Sequence, residues 1–127
     1  MNETLKVLTI EDSAIDAELI LNKLSEMGCQ VEQGLVDNAL DMRRLINEKQ
    51  WDIVLCDYSM PDFNPFEALN IIREFNLDVP FIVISGTIGE EKAIELLKAG
   101  CHDCIMKNNM TRLPEVINRE CKEARVR

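Results

Sequence analysis

Three acids, a hydroxyl and a lysine in this sequence have the chemistry to bind a metal ion and an anion together. They are Glu11 and Asp12, then Asp57, and finally Ser85 and Lys107. Carboxylates held close together raise one another's pKa, and a divalent cation that prefers oxygen ligands, such as Mg²⁺, removes that penalty. A lysine beside such a cluster indicates that a further anion is accommodated. A phosphoryl group fits, because its transfer is catalysed mainly by positioning and charge neutralisation.

The apolar pattern of the chain places these residues at the ends of predicted strands. The strand-like runs are Leu5–Ile10, Val31–Val36, Ile53–Cys56, Phe81–Ile84 and Cys104–Met106. The third and fourth runs are continuously apolar, as expected of strands buried on both faces. In open parallel sheets, sites form beyond the carboxyl ends of the strands. The five polar residues are therefore expected to meet at one edge of the sheet, with the Asp57 carboxylate as the nucleophile that would form an aspartyl-phosphate.

Helix signals alternate with these strands along the whole chain. The predicted helix starts are Ser13, Asn38, Asn64, about Glu90 and about Thr111, and Gly28 and Gly100 mark two of the ends. Asn64-Pro65-Phe66-Glu67 is the strongest start, because it combines a cap, a proline in the first turn and the acid of a capping box. Five strand–helix units with short connections predict a single α/β domain over residues 1–127, with a doubly wound parallel sheet between two layers of helices.

Length, charge and cysteine content narrow the class of protein. The chain has 127 residues and a net charge of −9, which argues against unaided binding to nucleic acid or to an anionic membrane. No apolar run approaches the roughly 20 residues of a membrane span, and Met1-Asn2-Glu3-Thr4 does not resemble a signal peptide. With an odd number of cysteines, 5 in total, these features predict a cytoplasmic protein with reduced thiols.

The segment Cys101-His102-Asp103-Cys104 contains one C-x-x-C motif. A zinc site would need further ligands at suitable spacing, and the other cysteines are isolated in the sequence. A redox C-x-x-C usually opens a helix, whereas this one leads into a predicted strand. The sequence therefore favours ordinary thiols over metal or redox chemistry at this position.

The whole constellation resembles the response-regulator receiver domain of two-component signalling. The resemblance rests on Glu11-Asp12, the segment Asp57-Tyr58-Ser59-Met60-Pro61, Ser85-Gly86 and Lys107, in that order and spacing, and it covers nearly the whole chain. It implies a five-stranded flavodoxin-like sheet in the order 2-1-3-4-5. It also implies phosphorylation of Asp57 by a histidine kinase or a histidine phosphotransfer protein.

The resemblance also assigns roles to individual residues. Asp12 and Asp57 would bind Mg²⁺ together with the backbone carbonyl of Ser59 and, through water, Glu11. Ser85 and Lys107 would hold the phosphoryl oxygens. The signal would leave through the face formed by the fourth helix, fifth strand and fifth helix, towards an output domain or a downstream protein. Catalysis would be limited to assisting the domain's own phosphorylation and dephosphorylation.

The sequence departs from the family pattern at three positions. Gly86 stands where an alanine is usual, Asn108 where a proline in a cis peptide is usual, and Cys104 where an aromatic switch residue is usual. These departures motivate an alternative hypothesis, a protein-interaction module on the same fold that does not depend on phosphorylation. A third hypothesis, a magnesium-dependent phosphatase, is least favoured because Ser59 occupies the position of the second acid that such enzymes use.

Overall fold

The computed structural model describes residues 4–86 and 88–126. Residues 1–3, Thr87 in the loop after the fourth strand and Arg127 lie outside the described residues, and so do both ends of the predicted domain. The strands are β1 (Thr4–Ile10), β2 (Gln30–Val36), β3 (Ile53–Asp57), β4 (Phe81–Ser85) and β5 (Asp103–Met106). The helices are α1 (Ala14–Ser25), α2 (Ala39–Glu48), α3 (Pro65–Glu74), α4 (Glu90–Ala99) and α5 (Leu113–Val126).

The five strands form one parallel sheet in the order β2-β1-β3-β4-β5, which confirms the predicted fold class. Every residue of β3 and β4 is buried, because helices cover both faces of the sheet at its centre. Side chains of α1 and α5 pack on one face, and those of α2, α3 and α4 pack on the other. The strand ends therefore converge on one edge that the helices leave open.

Local signals in the sequence fix where the helices begin and end. The side chains of Ser13, Asn38 and Asn64 each accept a backbone hydrogen bond at the start of α1, α2 and α3, and Asn64 completes its capping box with Glu67. Gly100 ends α4 in the left-handed conformation, with φ of 119°. That conformation suits glycine because it has no Cβ.

The segment after β5 differs from the predicted start of the last helix near Thr111. Lys107–Arg112 forms a short 3₁₀ helix, and α5 begins only at Leu113. Pro114 explains the boundary, because a residue without an N–H is tolerated in the first turn of a helix. No helix within residues 4–86 and 88–126 is long and apolar enough to cross a membrane.

Candidate functional site

The predicted polar residues do meet at the carboxyl edge of the sheet. Glu11 directly follows β1, Asp57 and Ser85 are the last residues of β3 and β4, and Lys107 directly follows β5. The central strands fix three of them rigidly, since Glu11, Asp57 and Ser85 are only 2%, 4% and 1% exposed. The site thus combines a buried floor with an exposed rim.

Three acids of this edge form a compact cluster. Carboxylate oxygens of Glu11, Asp12 and Asp57 lie within 4.8 Å of one another. Asp12 is exposed and faces the rim, whereas the other two are buried. One oxygen of Glu11 accepts hydrogen bonds from the backbone N–H groups of Asp12 and Ser13, at 3.1 and 3.3 Å. The start of α1 therefore holds the Glu11 carboxylate in place.

Lys107 is the cation that faces this cluster. Its Nζ lies 3.3 Å from Glu11 Oε1 and 3.2 Å from Asp57 Oδ1. Its shortest contact is a hydrogen bond of 2.7 Å to Asp16 Oδ2, on the first turn of α1. The ammonium is therefore shared among three carboxylates, and one of them was not among the predicted site residues.

The electrostatics of the site follow from burial and like charge. Burial, and then the neighbouring charge of Asp57, raise the pKa of Glu11 from 4.5 to about 7. Partial burial acts to lower the pKa of Lys107. Its hydrogen bond to Asp16 and its pairing with Asp57 outweigh that effect and hold the pKa above the usual range. The lysine thus stays charged at neutral pH, while part of the Glu11 population holds a proton.

Two buried oxygens at this edge have no hydrogen-bond partner among the described residues. They are Asp57 Oδ1 and Ser85 Oγ. Lys107 Nζ approaches Asp57 Oδ1 as an ion pair, without the direction of a hydrogen bond. An unsatisfied buried polar atom costs about 1–3 kcal/mol, and this cost falls mainly on Ser85 Oγ, because the ion pair with Lys107 offsets it at Asp57.

The remaining predicted positions lie on the rim. Ser59 is exposed on the loop after Asp57, and its role as a carbonyl ligand stays a prediction. Gly86 is exposed, and a Cβ added there would meet nothing within 4 Å, so space does not require a glycine in place of the usual alanine. Among the described residues there is no cis peptide bond, and Asn108 lies within the 3₁₀ helix.

Sequence reasoning missed Asp16. An acid in the first turn of a helix is ordinary, because it complements the helix dipole, so the residue type carries no signal. The available signal was its position in the first turn of α1, directly after the strand end that carries Glu11 and Asp12.

Comparisons with known proteins agree with this geometry. Residues 7–118 match the family model of the response regulator receiver domain. The transcription factor SKN7 of Saccharomyces cerevisiae is 31% identical over 101 residues, which are 80% of this chain but 16% of that protein. The chain therefore spans less than a fifth of that relative's length, which leaves most of the relative without a counterpart here.

Two solved structures have the same fold. A Francisella response regulator receiver domain is 28% identical with a TM-score of 0.80, and the match covers 94% of this chain and 98% of that one. The receiver domain of the sensor histidine kinase PA1611 from Pseudomonas aeruginosa, which holds a magnesium ion in its active site cleft, is 21% identical with a TM-score of 0.79. That match covers 94% of this chain and 99% of the other.

Proposed function

The chain belongs to the response regulator receiver domain family of two-component signalling, and from this premise we propose that Asp57 accepts a phosphoryl group in a magnesium-dependent reaction. Receiver domains interact with histidine kinases or phosphotransfer proteins, so we place the phosphodonor in that class. The proposed role is that of a phosphorylation-controlled element in a signalling pathway.

One observation carries this proposal: the two unsatisfied oxygens of Asp57 and Ser85 lie buried at neighbouring strand ends, beside a charged lysine. Asp57 Oδ1 is held by an ion pair with Lys107 and accepts no hydrogen bond from the described residues, so it keeps a lone pair for attack on phosphorus. A hydroxyl kept free can donate to an oxygen that arrives later. A phosphoryl group on Asp57 would therefore give both atoms, and the lysine, a common partner.

The proposed reaction moves a phosphoryl group from nitrogen to oxygen. A carboxylate oxygen of Asp57 attacks the phosphorus of a phosphohistidine, an O–P bond forms, and the P–N bond breaks. The leaving imidazole takes up a proton. Ser85 donates its hydroxyl hydrogen to one phosphoryl oxygen, and Lys107 neutralises the charge on another. Hydrolysis by water later returns the Asp57 carboxylate and releases inorganic phosphate.

The acid cluster fits a magnesium ion. The ligand atoms of the cluster are all oxygens, and two of the three acids are buried. The three carboxylates bring more negative charge than the single ammonium of Lys107 balances. Asp12 and Asp57 would bind the ion directly and Glu11 through water, with the Ser59 carbonyl as a further ligand. Bound there, magnesium would neutralise the charge that develops on the phosphoryl oxygens.

We place the outgoing signal on the face formed by α4, β5 and α5. The capping residue of α4 is Gly89, which makes no side-chain hydrogen bond, whereas α1, α2 and α3 each start with a side-chain cap. The start of α4 is therefore the one among these four helix starts that no side chain caps. Movement of Ser85 towards a phosphoryl group would be transmitted to α4, where Ile94 and Leu97 expose apolar surface to a partner.

The test is intact mass after incubation with magnesium and acetyl phosphate. We expect one phosphoryl group on the wild type, none on Asp57→Asn, and one on the matched control Asp62→Asn, which changes an exposed acid near the site. Omitting magnesium should abolish the addition. If acetyl phosphate fails, a phosphorylated histidine phosphotransfer protein provides the second donor.

Two results would contradict the proposal. Equal uptake by wild type and Asp57→Asn would place the acceptor elsewhere. Absence of uptake from both donors, with magnesium binding detected, would favour the interaction module that works without phosphorylation. Partner affinity that is insensitive to phosphorylation would point the same way.

A further inference from the structure

The connections from strand to helix at the carboxyl edge of the sheet are strongly acidic. Those after β1, β2, β3 and β4, counted to the first turn of the next helix, comprise residues 11–17, 37–42, 58–68 and 86–93. Their exposed acids, named here the acidic rim, are Asp12, Asp37, Asp62, Glu67, Glu90 and Glu91. Lys92 is the only lysine or arginine in these segments, and it pairs with Glu95 of α4. The rim therefore carries charge that its own segments do not neutralise.

The connections from helix to strand at the opposite edge are nearly balanced in charge. Counted from the last turn of α1, α2, α3 and α4, they comprise residues 22–29, 45–52, 71–80 and 96–102. Acids and bases occur there in nearly equal numbers, and Lys23 pairs with Glu26 at 3.2 Å. No acid of the rim, in contrast, forms an ion pair with any residue of 4–86 and 88–126. The excess of acids in these connections is thus concentrated where a phosphoryl group would arrive.

Helix formation accounts for only part of the acidic rim. Glu67 completes the capping box of α3, and acids in a first turn complement the helix dipole. Asp12 and Asp37 instead precede the capping residues of α1 and α2, so they lie outside both helices. These two acids are therefore not required by the helices that follow them.

Two further observations indicate that a protein meets this rim. Ser85 Oγ is buried at the same edge and has no hydrogen-bond partner among the described residues, as expected of a group that receives a ligand. Ile15 and Leu40, in the first turns of α1 and α2, are 73% and 77% exposed. A protein that covers this edge to reach Asp57 would bury apolar side chains and acids together. Acids that lose water in this way are favourable only beside cations of the partner.

We propose that the phosphodonor is a protein with basic side chains around its phosphohistidine, and that the acidic rim steers this partner to Asp57. The inference rests on the proposed function, because it describes the partner of the same site. A phosphohistidine is itself anionic, so the rim repels it unless cations beside it offset that charge. Complementary charge raises the rate of encounter by about 10- to 1,000-fold and suppresses partners of the wrong sign.

The experiment uses two synthetic peptides that each carry one phosphohistidine, flanked by lysines in one peptide and by glutamates in the other. Intact mass follows phosphoryl transfer to the full chain with magnesium present, which leaves an unphosphorylated histidine on the peptide. At low salt we expect the lysine peptide to react at least about tenfold faster than the glutamate peptide. In about 1 M salt, where the Debye length is about 3 Å, the two rates should approach each other.

Substitution of the rim tests where the steering charge lies. Asp37→Asn combined with Glu91→Gln should slow transfer from the lysine peptide about threefold at low salt. Acetyl phosphate, a small anionic donor, should react with this variant no more slowly than with the wild type. The matched control, Glu48→Gln combined with Glu123→Gln, removes the same charge from exposed acids at the opposite ends of α2 and α5 and should behave as the wild type.

Equal rates for the two peptides at low salt would overturn the proposal, and so would an equal loss of rate in the rim variant and its control. Failure of the proposed function gives a different result, because Asp57 would then take up no phosphoryl group from any donor. Binding of the unphosphorylated, dye-labelled peptides tests the rim in that case. Fluorescence anisotropy should show tighter binding of the lysine peptide, weakened by the rim substitutions alone, and equal weakening by the control would contradict the proposal.

Discussion

At the start of β3 and β5, polar side chains are paired with the neighbouring strand, whereas at the ends of β3 and β4 they are not. Asp52 accepts a hydrogen bond from the Lys6 N–H at 2.8 Å, and His102 Nδ1 accepts one from the Phe81 N–H at 3.0 Å. At the opposite edge, Asp57 Oδ1 and Ser85 Oγ have no such partner among the described residues. Polar side chains at one edge of the sheet are hydrogen-bonded within the protein, whereas the opposite edge keeps two buried oxygens without a hydrogen-bond partner among the described residues, where we propose that a phosphoryl group binds.

The largest effect on phosphoryl uptake should come from removing Lys107, the cation at the carboxyl edge of the sheet. In Lys107→Met, the phosphoryl oxygens lose a charged partner, and we expect phosphoryl uptake from acetyl phosphate to slow by about 100- to 1,000-fold. The measurement is the time course of intact mass. Lys6→Met, a lysine of β1 remote from the acid cluster, is the control and should react at the wild-type rate. Equal rates for both variants would remove Lys107 from the reaction.

The pH dependence of the free energy of unfolding tests the carboxyl edge of the sheet, where Glu11 lies. Its pKa is about 7 in the folded protein against an ordinary value of 4.5, so the folded state holds the extra proton between these values. The free energy of unfolding of the metal-free protein should therefore fall as pH rises through this window. The fall is at most a few kcal/mol, because one pKa unit corresponds to about 1.4 kcal/mol.

Urea unfolding at pH 5, 6 and about 7.5 measures this slope. Glu11→Gln should flatten it, because an amide does not titrate. Magnesium should raise stability most at the highest pH, where the cluster carries its full charge. If Glu11→Gln left the slope unchanged, the pH dependence would come from another titrating group.

At the edge where β3 and β5 begin, we expect a substitution to change stability alone. Asp52→Ala leaves the Lys6 N–H without its side-chain acceptor, and we expect a loss of about 1–2 kcal/mol in the free energy of unfolding, with phosphoryl uptake unchanged. Urea unfolding and intact mass measure the two properties. Asp62→Ala, at an exposed position, should leave both unchanged. Slower uptake by Asp52→Ala would break the division between the edges.

The smallest effect concerns Asp16, which competes for Lys107. In Asp16→Asn the ammonium loses its shortest charged contact and becomes more available to an incoming phosphoryl group. A gain of about 1 kcal/mol would raise the rate of uptake roughly fivefold. Glu18→Gln, an exposed acid of the same helix, is the control. A slower rate in Asp16→Asn alone would mean that Asp16 orients Lys107 for the reaction.

The resemblance to receiver domains implied the observed sheet order, and local signals in the sequence predicted most element boundaries. The predicted bounds of α4, Glu90 to Ala99, are those observed, and the caps at Ser13, Asn38 and Asn64 are confirmed. These features depend on local rules, such as side-chain capping and the apolar period. The strand ends could be predicted for the same reason, because parallel strands point their carboxyl ends in one direction.

Contacts between distant segments could not be predicted from local rules. Asp16 and Lys107 are 91 positions apart, and their hydrogen bond depends on how α1 packs beside β5. The 3₁₀ helix at Lys107–Arg112 was missed because Asn108 and Asn109 carry no strong helix signal.

The ion pairs of Lys107 also have a consequence for synthesis of the chain. The acids of the cluster belong to β3 and to the segment between β1 and α1, whereas the lysine comes 96 positions after Glu11. During translation the acidic edge is therefore complete before the ammonium that pairs with it has left the ribosome. Until β5 emerges, the nascent domain depends on protons or dissolved cations to offset that charge, and cellular magnesium would then assist folding before any signal arrives.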